Sequence, residues 1–250
     1  MRQRELLIAS LALLLVFLTN IPEAKCEVTS STGQRTGLIT TRLSARELEK
    51  WKAIEQIVFS EDENHQPLHP TLSGMWEWVE TSGHAVYVEF FRLDNASTCT
   101  AGHFMIEQFD PIGERHIAVI RLSLTNINQA YVGRDTKRGD GLIPFLGLER
   151  EERYAEVLGH ELAHAVHILT NLERARMVEE VVQQTNEMLL SQYHPSKGLG
   201  VSLDLKRRLS KRDAFLKELE GQAEAMEKVI WTELTARKPE RQKLLYPANK

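Results

Sequence analysis

Five consecutive residues, His160, Glu161, Leu162, Ala163 and His164, spell H-E-x-x-H. On a helix of about 3.6 residues per turn, side chains four apart stack on one face. Two imidazole nitrogens on that face can share one Zn²⁺ and leave positions for a third protein ligand and a water. Glu161 stands beside the first histidine, where a carboxylate can take a proton from that water. The pattern points to hydrolysis of a peptide bond by a zinc-activated water.

The motif needs a helix, and the surrounding residues supply one from Leu148 to Leu169. Glu149, Glu151 and Glu152 suit the positive end of a helix dipole, no proline interrupts the stretch, and Thr170-Asn171 is a stop. Val157, Leu158, Leu162, Val166, Ile168 and Leu169 put apolar groups around most of the circumference, the mark of a buried helix. Histidines on a buried helix are expensive unless something binds them. The bland reading is a core helix whose histidines hydrogen-bond each other and nearby carboxylates. His167 continues the face of His160 and His164 and suits a supporting or structural role better than ligation. Glu156, one turn before His160, could hold that ring's second nitrogen, as could Glu224 or a backbone carbonyl. Tyr193 and His194 are the nearest candidates for stabilising an oxyanion.

A catalytic zinc ordinarily keeps three protein ligands. The extended pattern H-E-x-x-H-x-x-G-x-x-H requires Gly at 167 and His at 170, but this chain has His167 and Thr170. That arrangement is excluded, and a carboxylate from a later helix is expected instead. In this the chain resembles the gluzincin zinc peptidases over roughly residues 148–234. The resemblance implies a glutamate ligand in an E-x-x-A segment, matched here by Glu220 to Ala223 with Glu224 following. It also implies that the alanine lets two helices touch. At about 100° per residue, Phe215, Leu216, Leu219, Ala223, Met226 and Ile230 share a face with Glu220 on its flank. Gly221, in a helix interior, suggests close approach of another backbone. The alternative ligand is Glu179, which flanks the apolar face made by Val178, Val181, Val182, Thr185 and Leu189, while Glu180 points away.

The chain's 250 residues suffice for one sizeable domain or two small ones. A net charge of −4, without a large basic block, argues against nucleic acid as a partner. Residues 1–26 read as a signal peptide: Arg2 and Arg4, an apolar run from Leu6 to Leu18, a break at Asn20 to Pro22, and Ala24 and Cys26 as small residues before Glu27. The run is short for a membrane span, so a membrane role would come only through an uncleaved signal segment. Export predicts a secreted or periplasmic location. Cys26 and Cys99 are the only cysteines, so a disulfide is allowed but the fold does not depend on one. Asn95-Ala96-Ser97 is a glycosylation sequon, relevant only in a eukaryotic host.

Residues 27–43, rich in Ser, Thr and Gly, read as a linker, 44–237 as the catalytic domain and 238–250 as a polar tail. Ser44 and Glu47 form a capping box before a helix ending near Ser60. Residues 61–70 read as loop. Met75 to Val79, His84 to Leu93, Gly102 to Phe109 and His116 to Asn126 read as three or four antiparallel strands, the last two joined by a turn at Asp110 to Gly113. A loop is expected over 128–144. Leu172 to Tyr193 and Leu203 to Ala236 read as helices, with Ser210 marking where the second could break. The expected fold is α+β and zincin-like: an N-terminal helix and a small antiparallel sheet, then a helical half carrying the motif. The strand at 116–126 is the expected sheet edge for an extended substrate, by analogy with the family.

These expectations combine into an exported zinc metallopeptidase with Glu161 as general base, His160, His164 and Glu220 as Zn²⁺ ligands, and a peptide or protein as substrate. Two others remain open: a non-catalytic exported helical domain that binds a partner protein, with a structural metal site or none, and a membrane-anchored housekeeping factor.

Overall fold

Ser44 opens the first helix, as its spacing from Glu47 predicts. In the computed structural model, which describes residues 35–92, 101–131, 147–192 and 203–236, helix α1 spans Ala45–Val58. The Ser44 backbone N–H donates to Glu47 Oε2 at 2.9 Å and the Glu47 N–H donates to Ser44 Oγ at 3.4 Å. Trp51, Ile54, Ile57 and Val58 are buried on its inner face. The next helix, α2 (Pro70–Thr81), corrects the sequence reading of Met75 to Val79 as a strand. Two tryptophans suggested a strand there. The helical spacing of buried Leu72, Met75, Trp76 and Val79, with Pro70 preset for the first turn, decides the matter. Glu233, from the far end of the chain, caps this helix: the Thr71 hydroxyl donates to it at 2.5 Å and the Thr71 N–H at 3.3 Å.

Four strands form one sheet: β1 (Gly37–Ile39), β2 (Ala85–Phe91), β3 (Gly102–Gln108) and β4 (Ile117–Ser123), in the order β1-β2-β4-β3. β1 lies inside the stretch read as linker; three residues are too few for periodicity to show. The sheet is mixed, which corrects the antiparallel expectation. β1 pairs with β2 and β2 with β4 in parallel, and only the β3–β4 hairpin is antiparallel. Alternation along a strand tells which side chains face the core but does not name the neighbour. Ala118, Val119 and Ile120 are all buried, the unbroken apolar run of a strand with neighbours on both sides. The hairpin turns where expected, with the Gly113 N–H donating to the Asp110 carbonyl at 3.0 Å.

β4 stops at Ser123, short of the expected Asn126, because the Ser123 hydroxyl accepts the Asn126 N–H at 3.2 Å and starts helix α3 (Leu124–Tyr131). Then come α4 (Arg150–Leu169), α5 (Leu172–Gln192) and α6 (Leu203–Ala236), the last unbroken at Ser210. The architecture is mixed α and β, with a small four-stranded sheet and six helices among the described residues. None of these helices is long and apolar enough to cross a membrane.

Val86, Val88, Ala118, Ile120 and Leu122 from the sheet share one core with α1, α2 and α4. α4 runs through its middle, against β3 and β4 on one side and α6 on the other. Each large side chain buried there contributes about 1.5–3 kcal/mol. A smaller cluster of Ile106, Ile168, Ala175, Val181, Phe215 and Leu219 joins β3, α4, α5 and α6. Elsewhere on the sheet, Arg42 binds Glu89 at 2.7 Å and Glu107 at 2.8 Å, and Arg121 binds Glu89 at 2.8 Å. These pairs tie the residues after β1 to the other three strands.

Candidate metal centre

Burial on two sides fixes α4, and that fixes the motif. Glu149 and Glu152 close a capping box at its N-terminus, and fourteen of its twenty residues are buried. The close approach to α6 occurs at Gly159, one residue before His160. A Cβ there would collide with Ile230 of α6 and come within 3.1 Å of Leu72 of α2. Gly221, in contrast, has nothing within 4 Å of such an atom, so the close contact read into it is not there. Ala223 is fully buried, as expected of the small residue that lets the two helices touch.

Among the described residues, His160, His164 and Glu220 form a group that could hold a metal ion, with one donor atom from each lying within 4.8 Å of the others. His160 Nε2 is 3.6 Å from Glu220 Oε1, and His164 Nε2 is 3.5 Å from Glu220 Oε2. Both gaps exceed the roughly 2.7–3.2 Å of a hydrogen bond to nitrogen. They approach the edge of a tetrahedron of donors about 2.0–2.1 Å from zinc, which is about 3.3–3.4 Å. The donor set, two imidazoles and a carboxylate, suits zinc in chemistry as well. The His160 and His164 side chains are only 13% and 14% exposed while Glu220 is 56% exposed, so the group opens to solvent past Glu220.

The second nitrogen of His160 is held by a residue the sequence reading missed. His160 Nδ1 donates to Glu227 Oε2 at 2.8 Å, in place of Glu156 or Glu224. This bond turns Nε2 toward His164 and Glu220, as a carboxylate behind a ligand histidine does. The signal was available: Glu227 follows Glu220 by seven residues, two helical turns, and so lies on the same face of α6. Burial opposes a charge on His160, but the Glu227 hydrogen bond and the charges of Glu161, Glu220 and Glu227 overcome it and push the imidazole up to about 9. A cation entering here therefore displaces a proton.

Glu161 is 4% exposed. Burial holds its carboxyl above the usual carboxylate range; His160 and His164 oppose this without cancelling it, and Glu220 and Glu227 add to it. It faces β3 at Gly102. His103, next on that strand, was also missed; burial first, then Arg121 and His164, lowers its imidazole to about 4 and keeps it neutral at pH 7. His167 is half-buried, with Nδ1 free of hydrogen bonds, and burial lowers it too. Glu179 accepts a hydrogen bond from Gln183 at 3.0 Å and is not part of the metal-competent group. Tyr193 and His194, the signal segment 1–26, Cys26, Cys99, the sequon at Asn95 and the polar tail lie outside the described residues. No protein-family model, curated protein or solved structure matches the chain.

Proposed function

We propose that the protein is a zinc metallopeptidase of the gluzincin type, with a zincin-like fold. The observation that carries the reading is the Glu220 carboxylate set between the two histidine nitrogens at 3.5 and 3.6 Å, with Glu227 fixing one of those rings from behind. His160, His164 and Glu220 would hold the ion. When bound, Zn²⁺ supplies a Lewis acid that polarises a carbonyl and makes water a nucleophile near neutral pH. Glu161 takes the water's proton and passes it to the leaving amine. Its buried position suits both halves of that task, because desolvation makes the carboxylate a stronger base.

An extended peptide fits the outer side of β3. The expected edge at 116–126 is displaced, since β4 lies between β2 and β3. The Ser123 N–H donates to the Ala101 carbonyl at 2.8 Å, so the alternation of an antiparallel ladder turns the N–H and C=O of Gly102 and Phe104 outward. Among the described residues no strand pairs with that edge. A peptide added there would run beside Glu161.

A structural zinc site is ordinarily closed by four protein ligands. Three are brought together here among the described residues, which favours a catalytic site over a structural one. Export through residues 1–26 belongs to the same proposal, and the mass of the mature N-terminus tests it. The decisive experiment is metal content after purification without chelator, for the parent and for His160→Ala, Glu220→Ala and Glu179→Ala. About one zinc per chain is expected in the parent and in Glu179→Ala, and none in the other two. A parent that stays empty even after zinc is supplied returns the weight to a non-catalytic binding domain.

A further inference from the structure

Gly102 opens β3 opposite Leu122, just after the bonded Ala101–Ser123 pair, and its φ is not positive. Its backbone does not require glycine, and glycine weakens a strand. Space is the remaining reason. A Cβ at 102 would stand 2.5 Å from Glu161 Oε1, 2.8 Å from Glu161 Cγ and 2.8 Å from Val157 Cγ1. Real Cβ contacts are essentially never shorter than 3.0 Å. Two of the three atoms belong to the group assigned as the proton acceptor. The third, Val157, lies one helical turn earlier on α4.

We propose that Gly102 is a positioning residue for Glu161. The bare strand backbone forms one wall of the carboxylate's niche and α4 the other. With that wall in place, the carboxylate stays within electrostatic reach of His160, His164, Glu220 and Glu227. Any side chain at 102 pushes the carboxylate out of the niche. The edge that would carry the substrate and the group that would move its proton are thereby set in one geometry by one missing methyl group. This rests on the metallopeptidase reading and adds to it the residue that aligns the base with the substrate-bearing edge.

The test compares the full-length parent with Gly102→Ala, Val157→Ala, Gly102→Ala/Val157→Ala and Glu161→Gln. Zinc content, kcat and KM on a generic peptide, and the visible absorption of the Co²⁺-loaded proteins are measured. Gly102→Ala is expected to keep about one metal ion per chain and to hold KM within about threefold. Its kcat should fall by at least about tenfold, a part of the roughly 10²–10⁴-fold that a general base contributes. Its Co²⁺ bands should move in the same sense as those of Glu161→Gln. Val157→Ala removes the competing helix contact, so the double variant should retain the loss and the shifted bands. The double variant also decides the matter if Gly102→Ala alone fails to fold. Parent-like kcat and Co²⁺ bands in Gly102→Ala overturn the proposal. So does recovery in the double variant, which would make strand–helix spacing the cause. A parent without metal, or a fully active Glu161→Gln, is a different failure: it removes the metallopeptidase reading beneath the proposal.

Discussion

Among the described residues two pairs of histidines meet ring to ring, one in the second half of α4 and the other at the residues that lead into β2 and β4. His160 and His164 pack edge to face with centroids 4.9 Å apart; His84 and His116 stack at 5.1 Å, with Phe109 on the far side of His116. Burial opposes a proton on His160 and on both members of the second pair. Yet His160 is pushed up to about 9 while His84 and His116 are lowered. The difference lies in what the nitrogens face. Around His160 they face the carboxylates of Glu227 and Glu220. In the second pair each Nδ1 accepts a backbone N–H, His84 from His116 at 3.1 Å and His116 from Asp110 at 3.0 Å. Those lone pairs are occupied, and the Asp110 carboxylate is turned to the N–H groups of Ile112 and Arg115. Carboxylates turn buried imidazoles into a group that could hold a cation, whereas backbone donors turn them into neutral core.

The contrast can be broken most severely at Glu161. Glu161→Gln should retain zinc and lose about 10²–10⁴-fold in kcat, while His84→Asn leaves the folded protein's turnover within about twofold, because its ring faces no group of the metal centre. Hydrolysis at the parent rate in Glu161→Gln would sink the assignment of the base. Next is Glu227→Ala, expected to weaken zinc binding about 10–100-fold by releasing the His160 ring; competition with a chromogenic chelator reads this out. Unchanged affinity would leave Glu227 a packing residue only.

The second pair should answer in stability. His116→Ala strips the Asp110 N–H of its acceptor and should cost about 1–3 kcal/mol in urea unfolding with zinc content unchanged. The pair also predicts a pH dependence. A folded-state pKa below the unfolded value of about 6.5 gives stability that is complete above 6.5 and lost as pH falls through the folded value, because the unfolded chain binds more protons there. Besides burial, the groups that act on the pair are the Leu169 backbone and Asp110 on His84, and His84 and Asp110 on His116. His103 works in the same direction down to about 4. The urea midpoint should therefore decline below pH 6.5, and less steeply in a folded His84→Asn variant. An equal slope in both would remove the pair from the account. The smallest effect belongs to Glu179→Ala, which should change stability by no more than about 0.5 kcal/mol and leave zinc content alone.

Local features were legible because they follow from short-range geometry. The four-residue spacing of His160 and His164, the box at Ser44 and Glu47, and the acidic first turn of α4 all act within about one turn of helix. Extended segments at 85–91, 102–108 and 117–123 showed through their apolar and aromatic residues. The turn of helix at Pro70 misled because Trp76 and Trp78 favour strands on average while the Leu72–Met75–Trp76–Val79 spacing favours a helix. β1 was invisible, since three residues carry no period.

By itself the sequence determined the H-E-x-x-H spacing, the helix that bears it, and that any third donor to the two histidines would come from another element. It left Glu220 and Glu179 in competition, since each flanks an apolar helix face. Only the tertiary structure decided which carboxylate meets the two imidazoles, that Glu227 stands behind His160, that β3 rather than β4 is the edge, and that the tight contacts fall at Gly102 and Gly159 rather than Gly221. The physical reason is range. Helix and turn propensities are settled among residues a few positions apart. A site that joins residues 102, 160 and 220 exists only once a strand and two helices have docked.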